Sequence, residues 1–190
     1  MSAALGIAPA GALGFAAADL APALAPRVLL VRLGRERFAL PLGEVLEVME
    51  APALQPVALA PSGVVGQCLH RDRLVPVVDA ATLLAAPRDG GAGVLLLLAQ
   101  GEGRVALLVD DVVDMAPVHA GQWRPVPAMA GPAAALLDGV LDLEGRIAAL
   151  VAMPALRAVV RALVRGAAAA SAPAAPRRGV MAIQAMPEGR

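Results

Sequence analysis

An all-β fold of two similar small barrels packed face to face, closed by one amphipathic helix, is predicted by three features of the 190-residue sequence. The first is an internal repeat. Residues 34–48 align with 101–115 without a gap at an offset of 67 (101 − 34), with identities at Gly34/Gly101, Arg37/Arg104, Ala39/Ala106, Leu40/Leu107 and Val45/Val112. Acids pair at Glu44/Asp111 and Glu47/Asp114. Residues 66–78 align with 139–151 at an offset of 73 (139 − 66), so an insertion of six (73 − 67) separates the copies. A copy of about 60 to 70 residues is too long for a solenoid unit and suits a small barrel. The second feature is a series of short apolar runs punctuated by turn residues. The third is a helical pattern confined to the end of the patterned region.

Taken in order, residues 28–33 and 37–42 flank the turn at 34–36 and read as a hairpin. Residues 43–50 carry both periods, with Val45 and Val48 three apart and Leu46 and Val48 alternating, so strand and helical turn both remain open. Pro52, Pro56 and Pro61 impose an extended connection. Residues 64–69 and 74–78 form a second hairpin across a polar turn at 70–73, and Asp79 is placed to cap a short helix over 80–86, closed by Pro87. After the turn-rich linker 88–93, the second copy repeats the plan: a hairpin from 94–99 and 104–109, a segment at 110–115, and a hairpin from 139–143 and 146–151. Pro154 suits a first helical turn; Leu156, Val159, Val160 and Leu163 form one face, and Arg157, Arg161 and Arg165 form a solvated stripe. Residues 1–26 and 166–190, rich in Ala, Gly and Pro, are expected to be a flexible arm and a disordered tail around a domain at 27–165.

Composition excludes several function classes. Sixteen basic residues, all arginine, balance sixteen acids, so no net field draws nucleic acid or an acidic surface. Phe15, Phe38 and Trp123 are the whole aromatic set, too few for a base-stacking platform. An apolar fraction of 58% is inflated by alanine, and no run of about 18 to 20 strongly apolar residues argues for membrane insertion. The start lacks the basic residues of a signal peptide, so the expectation is a cytoplasmic protein. One cysteine, Cys68, leaves no intrachain disulfide and is expected to serve as a small buried apolar residue.

The catalytic inventory is equally thin. The only serines are Ser2, Ser62 and Ser171, too few and too scattered for a nucleophile with a histidine base and an orienting acid. Double-barrel hydrolases of the aspartic type need matched Asp-Thr/Ser-Gly turns, whereas the sequence has Asp79-Ala-Ala81 and Asp138-Gly-Val140. His70 and His119 occupy non-equivalent positions, without HxH or HExxH spacing, and are expected at the surface or in turns. No lysine-bearing phosphate loop exists. The expectation is a non-enzyme with no metal and no cofactor, whose apolar edges bind other proteins.

Residues 28–48, then Gly66 through Arg71 to Pro76-Val-Val-Asp79, then 106–112 and Gln122-Trp-Arg-Pro125, in this order and spacing, resemble the CheW family of chemotaxis coupling proteins. The resemblance spans about 27–165 and implies two five-stranded SH3-like barrels around a shared core. It implies a non-enzymatic adaptor between the cytoplasmic tips of chemoreceptors and the regulatory domain of the histidine kinase CheA, at receptor arrays on the inner membrane. Position by position it implies partner-binding roles for Val45 and Glu47 in the first barrel, for Gly66 opening the central motif, and for Arg71 within it. Where the family reads Asn-Leu-Arg-Gly, this sequence has Leu69-His-Arg-Asp72. That departure points to a pathway-specific paralogue, for example in surface motility, or to a competitor that binds without activating.

Overall fold

Two sheets interlock around a common apolar layer in a computed structural model that describes residues 25–90, 93–128 and 131–171. The elements are β1 (Arg27–Leu33), β2 (Glu36–Pro41), β3 (Val45–Glu50), β4 (Val64–His70), β5 (Arg73–Asp79), α1 (Ala80–Leu83), β6 (Val94–Gln100), β7 (Gly103–Val109), β8 (Asp111–Pro117), β9 (Trp123–Arg124), β10 (Leu137–Leu143), β11 (Arg146–Val151) and α2 (Met153–Ser171). The ambiguous segment 43–50 proves to be both things expected: a 3₁₀ turn at Leu42–Glu44 and then β3. Asp79 caps α1 as its spacing implies, accepting from the Thr82 amide at 3.0 Å. The helix is shorter than 80–86, ending where Ala85 turns left-handed (φ 49°).

Sheet composition corrects one expectation. The order is β8-β1-β2-β11-β10-β9 in one sheet and β3-β6-β7-β5-β4 in the other, so neither sheet comes from a single copy of the repeat. Each copy lends its first hairpin to the sheet built by the other copy's remaining strands. The exchange preserves the repeat's register: the parallel pair Ala39↔Leu150 joining β2 to β11 corresponds, at offsets of 67 and 73, to Ala106↔Val77 joining β7 to β5.

Burial explains the exchange. Val28, Leu30, Ala39, Leu141, Ala148 and Leu150 fill the inside of the six-stranded sheet, and Cys68, Val75, Val77, Leu95, Leu97 and Ala106 fill the five-stranded one. A third layer, with Leu29, Val31, Leu33 and Phe38 from one sheet and Leu96, Leu98, Val105 and Leu107 from the other, joins the two. Strands β1 and β6 are therefore buried on both faces over most of their length, which is why residues 28–31 and 94–98 are apolar without alternation. The 88–90 linker is tied to both copies: Arg88 reaches Asp79 at 2.9 Å and Asp110 at 3.5 Å.

Helix α2 seals the shared layer with Met153, Leu156, Val160 and Ala167. Val159, expected on this face, is exposed instead, because the buried stripe runs through Met153 rather than through 159. Arg157 is not simply solvated: it is paired with Glu44 and its carbonyl accepts from Gln100 Nε2 at 2.9 Å. The helix also runs six residues beyond the expected boundary at 165 (171 − 165), since alanine sustains helix and Gly166 comes against Pro61. A chain ending at residue 165 should therefore melt about 2–4 °C below one ending at 171, the effect of losing about 1 kcal/mol with the buried Ala167 and its turn. Thermal unfolding followed by circular dichroism checks this. The expected arm at 1–26, apart from residues 25 and 26, and the expected tail from 172 onward lie outside the described residues.

Candidate partner-binding surface

Strand β3 alternates half-buried Val45, Glu47 and Met49 with exposed Leu46, Val48 and Glu50. Val45 packs against the shared apolar layer, opposite Leu98 of β6. It supports the strand from beneath, and the apolar groups offered to solvent here are its neighbours Leu46 and Val48. The shift at 45–47, where the register slips by one residue, turns Glu47 toward the far edge of the sheet.

At that far edge stands the β4–β5 hairpin. Glu47 Oε2 accepts from His70 Nε2 at 3.1 Å and from Arg71 Nη2 at 2.9 Å. Since β3 and β4 are the two outer strands of the five-stranded sheet, contact between them requires the sheet to curl until its edges approach, as a small barrel does. The structure thus brings two predicted site residues, Glu47 and Arg71, into one ion pair. Arg71 remains 70% exposed, leaving most of its donors free. Around the pair lie exposed Leu46, Val48, Leu69 and Leu74, the last two cross-strand partners in the hairpin. This is an apolar strip with a charged rim, the composition of a protein-binding patch.

His70 corrects a sequence expectation. It is buried rather than at the surface, with Nδ1 3.4 Å from Arg104 Nη1. A neutral ring protonated at Nε2 satisfies both neighbours, donating to Glu47 and accepting from Arg104. The alternation of β4, which buries Val64, Gly66, Cys68 and His70, could have revealed this, but the polar sequence 70–73 reads as turn. His119 is exposed, as expected. Cys68 is buried, and burial pushes its thiol up, away from the reactive thiolate.

Gly66 shapes the fold around the hairpin. It is buried at a bulge in β4, with φ 151°, and a side chain there would meet the Gln55 carbonyl at 2.7 Å. This clearance lets Gln55 form a two-way backbone bridge with Gln67, at 2.8 and 2.9 Å. Its repeat partner Gly139 likewise sits at a bulge and makes room for the indole of Trp123 and for β9.

The hairpin tip is strained. Arg71 and Asp72 both take positive φ, 47° and 63°, and the equivalent tip in the second copy is Glu144-Gly145, at 55° and 83°. Glycine reaches this region at little steric cost. Asp72→Gly is therefore expected to stabilise the fold by about 0.5–1 kcal/mol, read as a rise in the denaturation midpoint at constant slope.

The second sheet carries the repeat of this surface with different chemistry. Val113, Met115 and Ile147 are exposed at the positions equivalent to Leu46, Val48 and Leu74. In place of the Glu47–Arg71 pair, Asp114 pairs with Arg146 at 3.2 Å. Its carboxyl is held below the usual range by the Met115 amide first and then by Arg146.

Three comparisons bear on this architecture. Residues 27–160 match the sequence model of the CheW-like domain. The chain is 30% identical over 127 residues to "Chemotaxis protein CheW" of Rhizobium meliloti (strain 1021), covering 65% of this chain and 82% of that protein. It is 29% identical over 116 residues to "Protein FrzA" of Myxococcus xanthus, covering 60% and 72% respectively. The crystal structure of the scaffolding protein TtCheW from Thermoanaerobacter tengcongensis superposes with a TM-score of 0.62 at 17% identity, over 67% of this chain and 84% of that one.

Proposed function

The chain belongs to the CheW-like domain family, and from that premise we propose that it couples the cytoplasmic tips of chemoreceptors to a CheA-type histidine kinase. The observation that carries the reading is the family match across both copies of the repeat, on a fold whose outer strands β3, β4 and β8 carry exposed apolar side chains. Such a protein works by assembly. It holds receptor and kinase in one geometry, so that coupling comes from which surfaces meet and no bond is made or broken.

The paired surfaces suit two partners. Leu46, Val48 and Leu74 on one sheet and Val113, Met115 and Ile147 on the other are like patches with unlike charged groups beside them. The Glu47–Arg71 surface takes one partner and leaves the opposite patch to the second. Among the described residues no helix is long and apolar enough to cross a membrane, and the proposed place of action is the cytoplasmic side of the receptor arrays, without insertion.

Reconstitution of receptor fragments, kinase and this protein, with kinase autophosphorylation as the readout, tests the proposal. Stimulation is expected. Binding with inhibition would instead support a competitor, and binding to neither partner would overturn the reading. A pathway-specific paralogue, for example for surface motility, is favoured by one observation: the rewritten tip at 69–72 sits within the surface itself. Cross-reconstitution with receptors from different pathways distinguishes it, since a paralogue stimulates only with its own.

A further inference from the structure

His70 occupies a position whose packing does not call for a histidine. Its repeat equivalent is Leu143, 3% exposed, against 5% for His70, so the fold accepts an apolar side chain at this place. What the histidine adds is polar. Both ring nitrogens are engaged, Nε2 with Glu47 at 3.1 Å and Nδ1 with Arg104 at 3.4 Å. The bonds from His70 and from Arg71 end on the same oxygen of Glu47, Oε2, and leave Oε1 without a bond from either. Arg71 is mobile by nature, a long side chain mostly in water, and an exposed ion pair alone does little to fix it. A nearly buried ring has one position, and it transmits that order to Glu47 and through it to Arg71.

We propose that His70 is a positioning residue for the partner surface: it holds the Glu47 carboxylate, which in turn sets Arg71 in the arrangement that the partner meets. This rests on the reading of the Glu47–Arg71 surface as a partner site. The gain lies in preorganisation, because side chains ordered before binding lose less entropy on binding.

The test uses the full-length protein, a purified chemoreceptor cytoplasmic fragment and a CheA-type kinase, with affinity measured by co-sedimentation. His70→Leu is expected to keep its melting temperature, as Leu143 does its work in the other copy, while affinity falls about 10-fold, equivalent to about 1.4 kcal/mol. His70→Gln, whose amide can still donate to Glu47, should recover most of the loss. In a double-mutant cycle, Glu47→Gln should cost much less in the His70→Leu background than in the native protein. Wild-type affinity in His70→Leu, or independent and additive losses, overturns the proposal. Should His70→Leu fail to fold, His70→Gln against the shorter His70→Asn decides the same question, equal affinities overturning it. Arg71→Ala separates the two levels. If it weakens binding while His70→Leu does not, only the positioning role fails; if neither it nor Glu47→Gln has an effect, the surface itself is misplaced.

Discussion

Gly66→Ala is expected to destabilise the protein by about 3 kcal/mol or more, a large share of the stability of an ordinary domain. Two effects act together. At φ 151° the backbone lies in a region that L side chains rarely adopt, and the new methyl would sit 2.7 Å from the Gln55 carbonyl and 3.2 Å from Leu54 Cβ. Neither neighbour is the free end of a flexible side chain, so relief requires moving the 54–55 segment and breaking the Gln55–Gln67 bridge. Chemical denaturation checks the magnitude. A near-native midpoint would show that the bulge relaxes readily.

Arg71→Ala is expected to act in the opposite manner, with little effect on folding and a large one on assembly. A 70% exposed arginine whose one partner is a half-buried acid contributes within roughly 0.5 kcal/mol to stability. As an anchor in an interface, its truncation should cost about 2 kcal/mol of binding, on the order of a 30-fold weaker complex. The variant should therefore melt within a few degrees of the native protein and fail to co-sediment with receptor and kinase assemblies. Normal assembly by a stable Arg71→Ala protein would remove Arg71 from the surface and leave the fold untouched. Together the two substitutions separate what shapes the hairpin from what the hairpin presents.

Much of the architecture was legible because local chemistry and the repeat agree. Short apolar runs bounded by Gly34, Gly101 and Gly145 define hairpins wherever they occur, and Asp79 and Pro154 mark helix starts by backbone rules that need no tertiary context. Residue pairing between the copies carried the pseudo-symmetry down to the bulges at Gly66 and Gly139. The short β9 is not legible because two residues, Trp123 and Arg124, make no periodic signal, and the end of α2 is not legible because its last turns are alanine, without a face to read.

The sequence by itself determined that the chain is a doubled β module with an amphipathic helix, and its family resemblance pointed to Val45, Glu47, Gly66 and Arg71 as candidate site residues. Tertiary structure alone decided that hairpins exchange between copies, since a strand apolar on both faces does not say which sheet covers each face. It alone brought β3 to β4, the outer strands of one sheet, and so made Glu47, His70 and Arg71 neighbours across 24 positions of chain (71 − 47). It also half-buried Val45 against the shared apolar layer and left Leu46 and Val48 exposed. The reason is common to all of these: periodicity reports which residues share a face, and curvature decides which faces meet.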